Sequence, residues 1–258
     1  MSLVISTSAE LFKTRRSASF WLSVMGAALI PSIFFLAYFL KPEGAVKELQ
    51  ATPWETHFLY GWKSLSAFLF PMYVILICTL IPQIEYKNNT WKQVFASPQS
   101  FGNIYFSKFI TIHCMILFFY LLFNFFMISA GVVVNLLHPE FTFLEKRIDW
   151  ETLLKLNVKT YISILGISAI QYALALRFKN FIAPMGIGLA LLVGAVIALG
   201  FRWEHVYKMP FAHPVLTLLS IMKPGRPFLE NHELNSMGYF LAFLVIGFLD
   251  MRFKKEKG

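Results

Sequence analysis

EYKNNTWKQVFASPQSFGNIYFSK, Glu85 to Lys108, is the stretch on which the fold turns. It is a polar, basic, proline-punctuated excursion between two runs long enough to cross a lipid bilayer. Thr90 and Gln93 have the spacing of a capping box, in which a hydroxyl and an amide satisfy orphan amides at a helix start. Pro98 biases Ser97 away from the α region, so a helix begun at Thr90 should stop after about two turns. Trp91, Val94 and Phe95 then share one face, while Lys92 and Gln93 point elsewhere. The expectation is a small amphipathic knob over Thr90 to Ala96, on the cytosolic side of a membrane protein, followed by Ser100 to Lys108 running into the next apolar stretch.

Working outward, 57% of the 258 residues are hydrophobic, only 14% are charged and the mean hydropathy is +0.60, which places the chain outside the range of soluble domains. A helix needs about 20 apolar residues to cross roughly 30 Å of hydrocarbon. Six stretches meet or approach that length: Phe20 to Leu40, Leu65 to Ile84, Phe109 to Leu137, Thr160 to Leu176, Phe181 to Phe201 and Met237 to Met251. None holds a Lys or Arg, each of which would cost about 2.5 to 3.5 kcal/mol at a span centre. The fold class read from this is an all-α integral membrane protein with six transmembrane helices. Even parity puts both termini on one side. Lys13, Arg15, Arg16, Lys87, Lys92, Lys108, Arg177, Lys179, Arg252, Lys254, Lys255 and Lys257 fall in the shorter segments and at the ends of spans, so that side reads as the cytosol.

The net charge of +9 has no face concentrated enough to follow a phosphate backbone, so nucleic acid is excluded and membrane lipids with anionic headgroups are the expected partner. Cys78 and Cys114 both fall in spans and read as packing residues. Phe20 to Leu40 is too long for a signal-peptide core and is expected to remain as the first span.

Residues 1–19 read as a cytosolic amphipathic helix, with Thr7 and Glu10 at capping-box spacing and Lys13, Arg15 and Arg16 reaching headgroups. Pro31 and Pro71 should kink the first two spans. Lys41 to Lys63 looks like an irregular outer connector, and a short interfacial helix is expected after Asp149. In the fifth span Gly186, Ala190, Gly194 and Ala198 form an i, i+4 ladder of small residues, suited to packing within the chain or to a subunit interface. Within the outer segment 202–236, the run Val215 to Met222, bounded by Pro214 and by Lys223-Pro224-Gly225, is too short to span and reads as a re-entrant or surface helix.

Taken together, the Glu10 to Arg16 entry, the motif from Glu85 through Asn89-Thr90-Trp91-Lys92 to Ser97-Pro98, the Tyr105 to Lys108 re-entry and the short outer helix make the chain resemble the permease subunits of ABC type-2 exporters. Within that family it is most similar to the six-span permeases of lantibiotic and peptide-antibiotic immunity. The resemblance covers the whole chain, 1–258, as one transmembrane domain. It implies a bacterial cytoplasmic membrane location. Residues 85–108 would then carry a coupling helix in which Thr90, Trp91, Lys92, Gln93, Val94 and Phe95 contact a separate ATPase subunit, in two copies. It implies also a second permease copy or a related permease, and ATP and Mg handled by the partner.

The chain lacks a G-x-x-x-x-G-K-[ST] phosphate loop, so it is not expected to hydrolyse ATP, and it lacks an H-E-x-x-H or C-x-x-C metal signature. No cofactor of its own is expected. Asn124, Asn135 and Gln171 are the polar residues most deeply placed in spans. Asn124 and Gln171 are candidates for a substrate path, although interhelical hydrogen bonding is the commoner role. Walls with so few polar groups suit an amphipathic peptide or lipid better than a hydrophilic ion. Two other readings stay open: an intramembrane serine hydrolase using Ser168 of Gly166-Ile167-Ser168 with His113 as base, and a non-transporting scaffold or immunity protein.

Overall fold

The computed structural model describes residues 2–15, 17–223 and 227–253. Arg16, Pro224-Gly225-Arg226 and the tail with Lys254, Lys255 and Lys257, which the sequence reading used for charge bias and as a stop signal, lie outside the described residues. Eleven α-helices and two 3-10 turns make up the regular structure of the described residues. They are α1 (Leu3–Thr14), α2 (Ala18–Leu40), α3 (Pro42–Leu49), α4 (Pro53–Ser66), α5 (Leu69–Lys87), α6 (Trp91–Ala96), α7 (Phe101–Leu137), α8 (Trp150–Arg177), α9 (Ile182–Gly200), α10 (His213–Ile221) and α11 (Asn231–Phe253). Helices α2, α5, α7, α8, α9 and α11 are long and apolar enough to cross a membrane. Their directions alternate. One end of the bundle gathers α1, α6, the start of α7 and the ends of α5, α8 and α11; the other gathers α3, α4, α10 and the 3-10 turns.

Aromatic rings fill the centre. Trp62 and Phe70 lie wholly buried against Tyr120, Phe119 and Phe123 of α7, with ring centroids 4.9 to 5.7 Å apart. Tyr73 stacks at 4.3 Å on Phe119 and donates its hydroxyl to the Met115 carbonyl at 2.9 Å. Helices α8 and α11 approach closely at Gly166, whose amide donates to Ser236 Oγ at 3.0 Å and where a Cβ would sit 3.2 Å from Tyr239. The glycine of the G-x-S tripeptide is thus a packing residue.

Several expectations need correction at the boundaries. The connector over Lys41 to Lys63 is two helices, α3 and α4, each started by a proline in its first turn. Since the chain breaks at Ala67-Phe68, Pro71 falls in the first turn of α5, where a missing amide costs nothing, and Pro82 is the interior proline. Helix α2 continues through Pro31. Lys108 and Lys159, which marked span edges in the sequence, lie inside α7 and α8. Each is buried because a carboxylate from another helix neutralises it, so α7 runs for 37 residues and the interfacial helix after Asp149 is simply the start of α8. Asp149 caps that start, accepting from the amides of Glu151 at 3.1 Å and Thr152 at 3.2 Å. At the chain start, Ser2 caps α1 instead of Thr7, whose hydroxyl donates back to the Leu3 carbonyl.

Candidate functional site

The excursion between α5 and α7 is built from caps. Helix α5 ends in a Schellman motif: Asn89 takes the left-handed conformation, φ 53°, its amide donates to Tyr86 O, and the Thr90 amide donates to Glu85 O at 3.0 Å. Asparagine tolerates that conformation better than other side chains with a Cβ. The motif turns the chain directly into α6, so the Thr90 hydroxyl makes no capping bond and the capping box expected from Thr90 and Gln93 is not formed. Ser97 closes α6 in extended geometry before Pro98, with its hydroxyl on Val94 O, and Ser100 opens α7 by accepting from the Asn103 amide.

Trp91 is 7% exposed and packs on Tyr86 at 5.2 Å and Phe95 at 5.3 Å. Phe95 stacks on Phe101 of α7, and Phe101 meets Phe248 of α11. A row of rings therefore ties α6 to the bundle. Lys92, Gln93 and the 37% exposed Phe95 face away, with Val94 half-buried.

Above Trp91 lies a four-charge cluster that the sequence reading did not assemble. Lys108 of α7 is 0% exposed, and its ammonium stands 2.8 Å from both Glu10 of α1 and Glu85 of α5. Lys13 adds contacts of 2.6 Å to Glu10 and 3.0 Å to Glu85. The Lys108 ammonium also lies 5.5 Å from the centre of the Trp91 ring. Burial pushes the Glu10 carboxyl up, but the charge and hydrogen bond of Lys108, helped by Lys13, outweigh it and hold it below its ordinary value. Burial pulls Lys13 down, and its bonds and charges from Glu10 and Glu85 reverse that, leaving it raised. One clue was legible: an acid at the end of the second span faces a lysine at the start of the third, with a lone Glu10 ahead of the basic run. Ser6 Oγ, bonded to Gln99 Oε1 at 3.1 Å, ties α1 to the loop after α6.

The other predicted residues are dispersed. Gln171 is wholly buried, its amide donating to Thr79 Oγ1 at 3.0 Å and Pro184 O at 2.8 Å, so it binds α8 to α5 and α9. Asn124 donates to Tyr120 O and to Asn157 Oδ1, each at 2.8 Å, and Asn135 accepts from the Leu144 amide. On α9, Gly186 and Ala190 are exposed and Gly194 and Ala198 half-buried. The face turned into the bundle is Pro184, Gly188, Leu192 and Ala195. A Cβ on Gly188 would collide with the Gln171 side chain, whereas Gly186 and Gly194 face open space.

Ser168 and His113 do meet, at 3.4 Å. The Ser168 hydroxyl, however, donates to Leu165 O at 2.7 Å and is wholly buried, and the second ring nitrogen of His113 faces the Tyr161 hydroxyl, where an orienting carboxylate would be needed.

The family described as ABC-2 family transporter protein matches residues 7–195, from α1 through most of α9. Neither the curated proteins nor the solved structures contain a match to the chain.

Proposed function

Because the chain belongs to the ABC-2 family of transporter proteins, whose members are multi-pass membrane subunits of ABC transporters, we propose that it is the permease of an exporter for an amphipathic substrate, a peptide antibiotic or a lipid-like molecule. A separate ATPase subunit, in two copies, supplies ATP and Mg, and a second copy of this chain or a related permease completes the path. The end carrying α1 and α6 faces the cytosol of a bacterial inner membrane, with both termini on that side. The observation that carries this reading is α6 itself: a short helix locked by ring contacts to two membrane-length helices, α5 and α7, and through Phe101 of α7 linked to α11, with Lys92 and Gln93 turned outward and Phe95 partly exposed. In this reading α6 is the coupling helix. Thr90 positions it, Trp91 and Val94 root it, and Lys92, Gln93 and Phe95 meet the ATPase. A push on α6 is transmitted to α7 through the Phe95 and Phe101 stack and to α5 through Trp91 on Tyr86. Exposed aromatic and cationic groups beside a well-packed anchor are the usual makings of an interface hot spot.

Co-expression with an ABC ATPase subunit that copurifies with the wild-type permease tests the reading. Lys92→Glu with Gln93→Glu should abolish copurification of the ATPase while the permease still inserts and elutes as wild type. Trp91→Ala should weaken copurification and loosen the permease as well. Unchanged copurification and unchanged substrate-stimulated ATP hydrolysis in both variants would end it.

A further inference from the structure

The end of the bundle that carries α6 is electrically lopsided. Its carboxylates among the described residues are Glu10, Glu85 and Asp250, and each is already bound: Glu10 and Glu85 hold Lys108 and Lys13, and Asp250 holds Arg177 at 2.9 Å. Arg15, Lys87, Lys92, Lys179 and Arg252 are exposed and have no carboxylate partner among the described residues. The charge left unpaired at this end is therefore all of one sign.

Lys87, Lys92 and Arg252 stand around α6. Lys87 ends α5 just ahead of the turn into α6, Lys92 is carried by α6, and Arg252, near the end of α11, lines a cavity of about 300 Å³ on the flank of α6. The other walls of that cavity are rings: Tyr86 and Phe101, both half-buried, and Phe95, 37% exposed, with the buried Trp91 beneath them. Arg252 is the one charged group among the described residues that line it, and no carboxylate opposes it there. The space is at the lower limit of ligand-sized clefts and has room for an inserted side chain. An aliphatic stem can lie on the ring faces while a carboxylate at its end meets Arg252; a cation in the same place would meet like charge alone.

We propose that this cavity is a socket for an acidic side chain of the ATPase subunit, its carboxylate paired with Arg252, and that Lys87 and Lys92 face further acids around that point. A guanidinium and carboxylate pair beside packed rings fixes geometry as well as charge. The surrounding cations hasten encounter with an acidic surface and reject a basic one. The inference rests on α6 being the coupling helix and deepens that reading by stating the chemistry of the partner's docking surface.

The probe is the ABC ATPase subunit that copurifies with the wild-type permease, titrated into the full-length permease in phosphatidylcholine nanodiscs. Binding should weaken as salt is raised. In Arg252→Gln with Lys87→Gln the affinity should fall about tenfold, equivalent to about 1.4 kcal/mol, and its salt dependence should flatten. Arg252→Lys keeps the charge and should still bind, and a water-soluble carbodiimide should then join position 252 to an Asp or Glu of the ATPase, located by mass spectrometry of the cross-linked peptide. If Lys92→Glu with Gln93→Glu abolishes binding while Arg252→Gln with Lys87→Gln leaves it unchanged and no cross-link forms at position 252, this inference is overturned and the coupling helix stands. Binding unchanged in both pairs of substitutions overturns the two together. A loss in the Arg252 and Lys87 pair that is seen in phosphatidylglycerol nanodiscs and not in phosphatidylcholine would assign these cations to lipid headgroups, and would likewise overturn it.

Discussion

Lys108 shows how one residue can be misread from sequence and why. A lysine at the edge of an apolar run ordinarily reaches headgroups. Here it is sealed between Glu10 and Glu85, supplied by helices 98 and 23 residues away. Sequence shows the charges but not their convergence, which depends on α1 folding back against α5 and α7. Removing one member of a buried pair strands the others, so Lys108→Met should cost about 3 to 5 kcal/mol. Adding Glu10→Gln and Glu85→Gln should recover a good part of that loss, which thermal unfolding of the purified variants would reveal. The pH dependence follows from the directions of the shifts. Glu10 is depressed below its ordinary 4.5, so its contribution is full above that value and fades as pH falls through the lower folded value. Lys13 is raised above 10.5, so its contribution is full below 10.5 and fades as pH climbs past the folded value. Protection of the α1 amides, taken against the intrinsic exchange rate at each pH, should therefore hold level across the neutral range and fall as the pH drops below 4.5 through the lower folded value of Glu10. The same acid loss of protection in Glu10→Gln as in wild type would contradict the ionised cluster.

At the scale of elements, the six long helices were legible because apolar length is a strong signal, and the small helix at Trp91 was legible from Pro98 and its aromatic face. The ends were not. Helices α7 and α8 overrun their expected limits because buried ion pairs let lysines sit inside them, and α3 and α4 were hidden by the prolines that start them. Caps carry testable weight here. Helix α9 ends, like α5, in a Schellman motif, with the Arg202 amide on Leu199 O and the Trp203 amide on Ala198 O. Arg202 has φ 52°, a conformation that glycine adopts freely and an arginine adopts at a cost of about 1 to 2 kcal/mol. Arg202→Gly should thus raise thermal stability by about 1 kcal/mol. The same substitution at Asn89 should be nearly neutral, and Asn89→Val should destabilise and misdirect α6. A loss of stability in Arg202→Gly would mean that the arginine side chain contributes more than its backbone strain costs.

For the molecule as a whole, α9 offers two faces of small residues with opposite fates. Gly188 is spent inside the bundle, where Gln171 and Ile75 leave no room for a Cβ. Gly186 and Ala190 are exposed and Gly194 and Ala198 half-buried, and among the described residues no atom beyond the local helix backbone comes within 4 Å of a Cβ at Gly186 or Gly194. In lipid, helices gain from close backbone approach and not from hiding apolar area, so such a ladder is useful only when another helix lies against it. The proposed second permease supplies that helix. The sequence exposed the ladder, yet it could not say which way the ladder faced, because α9 is apolar all round and carries no polar stripe to orient it. Gly186→Leu with Gly194→Leu should shift the detergent-solubilised protein from dimer to monomer while its unfolding temperature stays within about 2 °C, since neither side chain enters the bundle. Gly188→Leu should instead lower that temperature sharply, because its side chain must displace Gln171 from Thr79 and Pro184. Copper-induced cross-linking of Ala190→Cys between copies should accompany the dimer and vanish in the double leucine background. A dimer that survives both leucines, still uncross-linked at position 190, would place the subunit interface on another helix.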